Sequence, residues 1–447
     1  MCTGPVAPNV CRAKPMCVGV SIGAAEETIA GAHALREADM TETESTAVEL
    51  REALAEAVVK NRSAIGTSVS DRILEAVRTV PRHLFVPGAS LEEAYDNSAS
   101  PIMKRDENGT PLSSVSAPWL QAAMLEQAQI EPGMRVLEIG SGGYNAALIS
   151  ELVGKKGRVV TLDIDPEACE RATQGLDAAG YDEVVVVCAD GEYGAAEYGP
   201  FDRIIVTVSA PDIPPAWTEQ LAANGRLVVP LRLRGLARSF VFVPDGNTLR
   251  CTEFELCGFV PIQGAAEARQ RLVSLDAEHV ALRVDDHQPV EAVCLRRALE
   301  SDRVDQWSGV TVGGMVAWDD LDMYLATRLH SYGYLTASDE GIASGRVNLA
   351  LRWGMSATWD RDSLAYLAMR PIDEERTQFE FGAHGHGPRG AVLAQRLVHH
   401  VRSWDRGFRH HRPHFEVHPK DTLDGDLPPG LVVEKPHSRV TVSWPQS

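Results

Sequence analysis

Long apolar runs are missing from this sequence. No stretch approaches the roughly 18 residues that a membrane-crossing helix needs, so no membrane partner is expected. Excess positive charge is missing too: 43 Lys and Arg stand against 62 Asp and Glu, a formal net charge of −19. Phosphate backbones are held by clustered cations, so nucleic acid is not expected as a partner either. Cysteine is sparse. Cys2, Cys11, Cys17, Cys169, Cys188, Cys251, Cys257 and Cys294 form no CxxC pair, and eight are too few for a disulfide scaffold in 447 residues. Free thiols in a reducing cytoplasm are the expectation.

What is present is ordinary globular material, with 44% apolar and 23% charged residues. The length suggests two or three domains, since single cores seldom grow past ~250 residues. Residues 1–45 are expected to form a disordered tail. Arg12 and Lys14 precede a mildly apolar stretch, Met16–Ala25, but Gly and Ser interrupt it before it makes a signal peptide. Residues 46–78 read as two helical pieces, with Leu50, Leu54 and Val58, then Ile73, Val77 and Val80, at helical spacing. Pro81 and Pro87 end them.

From Met134 strands and helices alternate. Arg135–Ile139 is a short buried strand, followed by Gly140-Ser141-Gly142-Gly143 and a helical stretch from Tyr144 to Val153. Strands over Gly157–Asp163, Val184–Cys188, Phe201–Val206 and Arg226–Leu231 follow, with helices from Pro166 and over Pro214–Ala223. Phe240–Val243 and Thr252–Leu256 read as a hairpin around Asp245-Gly246. Such alternation implies βαβ units and a parallel sheet covered by helices on both faces. Ligands bind such sheets at the carboxyl ends of the strands, so the loops after Ile139, Leu162, Cys188 and Val206 are expected to share a cleft.

The glycine-rich strand-to-helix turn lets a ligand approach backbone N–H groups. By itself it also suits a dinucleotide enzyme or a plain turn. Three acids narrow the choice. Glu138 lies inside the strand, where it can face a cationic group. Asp163 ends the second strand, where an acid accepts from a ribose diol. Asp190 follows the third, where it can accept from an adenine amine. The bland alternative for each is a helix cap or a solvated turn. Together with the glycines they suit a cofactor that is positive and carries ribose and adenine, namely S-adenosylmethionine; NAD would bring a pyrophosphate against Glu138.

Glu138-Ile139-Gly140-Ser141-Gly142-Gly143-Tyr144-Asn145 resembles the cofactor motif of the protein-L-isoaspartate O-methyltransferases. Val80-Pro81-Arg82-His83-Leu84-Phe85-Val86-Pro87, Ala94-Tyr95 and Ser114-Val115-Ser116-Ala117-Pro118 are similar to that family's upstream segments. Phe201–Thr207, Ala210–Pro214 and Gly225–Pro230 are similar to downstream ones, so that the resemblance spans 48–264. It implies a Rossmann-like class I methyltransferase fold, α/β, seven-stranded and doubly wound, with S-adenosylmethionine as cofactor and S-adenosylhomocysteine as product. It implies that Ser116 contacts the substrate carboxylate, with Ser114 beside it. It implies a cofactor site of Glu138, Gly140, Ser141, Gly142, Gly143, Asp163, Asp190 and Gly191. An N-cap or turn hydroxyl before Pro118 is the bland alternative for Ser116. Two departures bear on the substrate: the glycine turn is one residue short of the family's, and Ser113-Ser114 stands where Gln-Thr is usual.

A chain of that family is expected to end near residue 265. Residues 265–447 instead mix strand-like runs (Val347–Trp353, Phe379–Phe381, Leu431–Glu434, Val440–Trp444) with helix-like ones (Leu321–Leu329, Ala391–Ser403), and are expected to form an α+β substrate-recognition domain after a methyltransferase domain over 46–264. The extension resembles that of the lanthipeptide-associated, FxLD-type branch. This implies methylation of an ordinary Asp in a ribosomally made precursor peptide, leading to succinimide or isoaspartate. Repair of damaged isoaspartyl residues is the alternative, and a non-enzymatic adaptor that binds the cofactor is the third. Histidines and arginines crowd 384–420, among them His384, His386, His399, His400, His410, His411, Arg402, Arg406 and Arg409. No HExxH or supporting Cys or acid spacing accompanies them, so no metal is expected and a locally basic surface is. Trp307, Trp318, Trp353 and Trp359 read as core, or as the wall of a peptide groove.

Overall fold

The computed structural model describes residues 45–107, 109–268, 270–276, 279–285, 288–314, 316–351 and 354–445. The expected tail over 1–45, with Cys2, Cys11 and Cys17, lies outside them apart from Ser45. The chain divides into a short unit, Met1–Leu50, whose residues 45–50 are helical, and a large unit, Arg51–Ser447, which opens with helical residues 51–64. No helix among the described residues is long and apolar enough to cross a membrane.

A small antiparallel ribbon, β1 (Ile102–Arg105) with β2 (Pro111–Ser114), precedes the main sheet. β3 (Arg135–Ile139) pairs in parallel with β4 (Arg158–Asp163), and β4 with β5 (Val185–Cys188). On its other side β3 pairs in parallel with β6 (Phe201–Val206), and β6 with β7 (Leu221–Leu233). The chain order thus reverses between β3 and β6. The carboxyl ends diverge there and leave a crevice. β3 and β6 are buried along most of their length because strands covered on both faces have no solvent side; Glu138 is the buried charge within β3.

β7 continues into β8 (Leu236–Asp245) and β9 (Thr248–Leu256) as an antiparallel meander. The β7–β8 turn has Arg234 and Gly235 both at positive φ, +50° and +88°, as a two-residue hairpin requires. β7 begins at Leu221, so the helix before it is only Pro215–Gln220, shorter than the expected Pro214–Ala223. After Gln220 the backbone turns extended to pair with Phe201.

Beyond residue 270 a second, antiparallel sheet forms. It holds β10 (Arg271–Asp276), β11 (Val280–Val284), β12 (Val304–Gly313), β13 (Gly333–Ala337), β14 (Met355–Trp359), β15 (Leu364–Pro371) and β16 (Gln378–His386), in the order β10-β11-β13-β14-β15-β16-β12. The helix Gly390–Gly407 packs across β12, β15 and β16. The helix expected over Leu321–Leu329 runs Asp319–Arg328. The strand expected over Val347–Trp353 is absent: residues 347–351 are irregular, and Arg352 and Trp353 lie outside the described residues. Val347 and Leu349 are buried as a loop plug, so their alternation reports burial without pairing.

The last strands do not stay with the second sheet. β17 (His414–Pro419) pairs with β9, β19 (Ser438–Ser443) pairs with β17, and β18 (Leu431–Glu434) forms the edge. β3 to β9 are the seven strands expected of the methyltransferase region, and β17, β18 and β19 extend the same sheet to ten. The physical reason is the edge of β9. Left open it would expose unpaired backbone and the faces of Phe240 and Phe254. Phe415 of β17 covers them, with ring centroids 4.8 and 5.2 Å away.

Candidate functional site

At the crevice beyond β3, β4 and β6 a cavity is lined by Ser114, Ser116, Glu138, Gly140, Ser141, Gly142, Asp163 and Gly191, together with Tyr144, Thr207 and residues 260–263. Gly140 sits at φ +97°, and a Cβ there would lie 2.8 Å from Thr207 Oγ1 and 2.9 Å from Val208 Cγ1. Only glycine allows the turn to pass under β6 so closely. Gly143, also at positive φ, does not line the cavity; a Cβ there would meet Phe85 at 2.9 Å, so its role is packing.

Glu138 is 1% exposed and makes no ion pair with any Lys, Arg or His among the described residues. Asn145 Nδ2 donates to it at 2.8 Å and Thr161 Oγ1 at 2.6 Å. Burial nevertheless pushes its carboxyl up to about 7. A desolvated acid without a counter-charge is stabilised by any cation that enters beside it. Asp163 accepts from Ser141 N and from Asp165 N, both at 2.9 Å, and burial raises it too. Two donors lining the cavity are buried and unpartnered: Ser141 Oγ and Tyr144 OH. An orphaned buried polar group costs roughly 1–3 kcal/mol, so both point to a polar occupant. An acid for a cation, glycines for close approach and spare donors fit S-adenosylmethionine.

Asp190 departs from its expected place. It does not line the cavity. Its Oδ1 accepts from Glu192 N at 3.0 Å and its Oδ2 from Ala265 N at 2.8 Å. The carboxylate thus caps one turn and ties down the 264–265 loop. Each carboxylate oxygen keeps a second acceptor position.

Ser116 lies between β2 and the helix Pro118–Ala128. That helix is capped at Ala117 without a side-chain bond, so Ser116 is not an N-cap. Neither the Ser114 nor the Ser116 hydroxyl bonds to another described residue, which leaves both free for a ligand. The backbone of Ser116 is fixed by Arg82, which is fully buried. Arg82 donates to the Ser116 carbonyl at 2.9 Å, the Ala94 carbonyl at 2.8 Å and Gln121 Oε1 at 3.0 Å. Its guanidinium lies 4.7 Å from the centroid of Tyr144. Arg82 and Tyr144 had no role assigned from sequence, although a lone Arg inside an apolar motif was the available signal. The 260–263 segment gave none: Ser209 N donates to the Val260 carbonyl and Ile262 N to the Ser209 carbonyl, pairings that only the folded chain brings about.

The cavity opens outward. Ser114, Ser116, Ile102, Gly258, Phe259 and Pro261 line its mouth. Gly258, Phe259 and Pro261 also line a larger cavity, whose other walls are β7–β8 and the region around Arg283, Trp318 and Tyr334.

The histidine-rich segment divides: His399, Arg402, Arg406, His410, His411 and Arg412 are exposed, whereas its first histidines are not. His384 and His386 lie inside β16, each 2% exposed, and burial lowers both. His400 is pushed down to about 4 by burial and by His399 beside it. Among the described residues no three His, Cys, Asp or Glu are placed to hold a metal.

The family model for protein-L-isoaspartate(D-aspartate) O-methyltransferase matches residues 53–267. Protein-L-isoaspartate O-methyltransferase 2 of Archaeoglobus fulgidus is 38% identical over 217 residues, 48% of this chain and 94% of that protein. The enzyme of Methanococcoides burtonii is 42% identical over 171 residues, 38% of this chain and 81% of that protein. A solved protein-L-isoaspartate O-methyltransferase, 23% identical, superposes with a TM-score of 0.45 over 81% of this chain and 96% of its own.

Proposed function

This chain belongs to the protein-L-isoaspartate O-methyltransferase family, and we propose that it methylates an Asp side-chain carboxylate in a ribosomally made, lanthipeptide-type precursor peptide, opening the way to succinimide and isoaspartate. At the coarser level it is an S-adenosylmethionine-dependent carboxyl O-methyltransferase. The cofactor, when bound, supplies an electrophilic methyl group on a positively charged sulfur. Glu138, Gly140, Ser141, Gly142 and Asp163 are the residues to hold it, with Tyr144 OH and Ser141 Oγ as donors.

The rest is positioning. A carboxylate is ionised at neutral pH, so no general base is needed. Ser116 Oγ holds one carboxylate oxygen by a hydrogen bond and leaves the other free to face the cofactor. Arg82 keeps the Ser116 backbone in place. Orientation of this kind is worth several orders of magnitude in rate. Val260 and Pro261 line both the cofactor cavity and its mouth, and so border the carboxylate where it must lose water.

The observation that carries the peptide-tailoring reading is that Gly258, Phe259 and Pro261 line both the mouth and a cavity walled by residues of the extension. An enzyme that must accept many damaged sequences gains little from a second wall. The repair reading keeps its own support: the match covers 94% of the Archaeoglobus fulgidus protein, which carries the repair-type name. Mass spectrometry separates them. The purified protein is given S-adenosylmethionine with an isoaspartyl peptide and with a precursor-type peptide carrying Asp before a small residue. A methyl gain or water loss on the precursor alone supports tailoring; methylation of the isoaspartyl peptide alone returns the chain to repair.

A further inference from the structure

The cavity beyond the mouth has an uncommon charge arrangement. Three arginines line it: Arg232, Arg238 and Arg283. Arg232 is paired with Asp285 at 3.4 Å. Arg238, 3% exposed, donates to the carbonyls of Ala237 and Asp319 and lies 3.8 Å from the Asp319 carboxylate. Arg283 has no such partner. Its guanidinium stands 5.1 Å from the Tyr334 ring centroid, directly across the β11–β13 pairing, and makes no ion pair or hydrogen bond with any described residue. Its Nε is buried and unsatisfied, as is that of Arg238. The nearby Asp322 does not serve as counter-charge: it accepts from Tyr334 OH at 2.8 Å and from Ser356 Oγ at 2.5 Å.

A half-buried guanidinium without a carboxylate partner of its own is costly unless a ligand supplies one. Asp319 and Asp322 also line the cavity, but Asp319 stands beside Arg238 and Asp322 is engaged by Tyr334 and Ser356; Phe259, Trp318 and Leu351 supply an apolar stretch of wall. The cavity shares Gly258, Phe259 and Pro261 with the mouth that carries Ser114 and Ser116. A peptide whose carboxylate sits at Ser116 would reach it by passing over these three shared residues.

We infer that this cavity is a second anchoring subsite for the peptide substrate. It takes a Glu or Asp side chain at Arg283, supported by Arg238, with a neighbouring apolar residue against Trp318 and Phe259. This rests on the reading of the protein as a peptide carboxyl methyltransferase, and it adds a sequence requirement remote from the methylated residue. The planar guanidinium suits bidentate capture of a carboxylate.

The test uses the full chain and fluorescently labelled, N-acetylated, C-amidated Gly/Ser peptides. Each carries one Asp-Gly acceptor pair and one apolar residue, with a Glu or a Gln walked through successive positions away from the acceptor. Binding is read by fluorescence anisotropy and methylation by mass spectrometry. Glu is expected to bind roughly tenfold tighter than Gln at one or two adjoining spacings only. Arg283→Gln should abolish that difference and Arg283→Lys should retain part of it. Equal affinity of Glu and Gln peptides at every spacing overturns the inference, as does a Glu preference that survives in Arg283→Gln. If Arg283→Gln does not fold, the Glu/Gln comparison on the unaltered protein decides. If no peptide is methylated, the functional reading fails while the anisotropy series still judges the subsite.

Discussion

Arg82 donates from Nη2 to the carbonyl oxygen of Ser116 at 2.9 Å, across 34 residues of chain. This bond joins the Pro81-Arg82 motif to the serine proposed to hold the substrate. It makes Arg82 a positioning residue in that proposal, since it contacts the lining residues Ser116, Gln121 and Tyr144 without itself lining the cavity. Arg82→Met is expected to leave the Ala94 and Ser116 carbonyls without their donor, at roughly 1–3 kcal/mol each. The melting temperature should fall and methyl transfer should drop, with cofactor affinity changed far less. Calorimetric binding of S-adenosylhomocysteine beside the initial rate checks the split; equal loss of both would remove the positioning role.

Ser116→Ala keeps the fold and removes the hydroxyl. The expected result is a ~10–100-fold lower kcat/KM for the acceptor peptide, the scale of losing one charge-assisted hydrogen bond. Cofactor binding should be unaffected. An unchanged kcat/KM would leave Ser116 with only a backbone role, and Ser114→Ala would then be the next variant to measure.

Glu138 predicts an opposed pair of effects. Its folded pKa is raised from the ordinary value to about 7, so the folded state holds a proton that the unfolded chain has lost between pH 4.5 and 7. Stability of the cofactor-free protein should therefore fall as pH rises through that window, by an amount on the order of 3 kcal/mol. Affinity for S-adenosylmethionine should rise over the same range and level off above pH 7, because the cation needs the ionised form. Glu138→Gln should raise the melting temperature at pH 8 and weaken the cofactor at least tenfold. A variant that is less stable and binds normally would refute the assignment.

The buried histidines act in the opposite direction. His384, His386 and His400 have folded pKa values below the ordinary one, so the unfolded chain binds protons that the folded one refuses. Their contribution is intact above about pH 6.5 and is lost as pH falls below it, for His400 down to about 4. Both ring nitrogens of His386 are buried without a partner. His386→Phe is expected to be neutral or stabilising at pH 7 and to reduce the acid sensitivity; urea titrations at pH 7 and pH 5 measure it.

The return of the chain to the first sheet makes truncation a structural experiment. Removing residues 265–447 strips Phe415 from Phe240 and Phe254 and opens the edge of β9. It also removes His437 N and Ser438 Oγ, the donors to the buried carboxylate of Asp212. The fragment is expected to aggregate. Phe415→Ala in the full chain should cost ~3–5 kcal/mol. A monomeric fragment that melts within a few degrees of the full chain would show that the two sheets are energetically independent.

The sequence by itself determined the local and the repetitive parts of this protein. Fully covered parallel strands are short and mostly apolar, so β3, β4 and β6 could be read directly, and so could the glycine turn that needs Gly140 at positive φ. Several chemical residues could be read for the same reason, because Glu138 and Asp163 sit at fixed offsets from strand ends. Tertiary structure decided what depends on distant partners. Asp190 also accepts from the amide of Ala265, a partner 75 residues away that its offset from the strand end does not reveal. Val347 and Leu349 alternate like a strand but fill a loop. His384 and His386 look like surface charge and are desolvated inside β16. The pairing of β17 with β9, and the cavity that sets Arg283 opposite Trp318 and Phe259, join segments far apart in the chain. Periodicity and offsets are properties of neighbouring residues. Burial of a charge, satisfaction of a carboxylate and closure of a sheet edge depend on what the rest of the chain brings beside them.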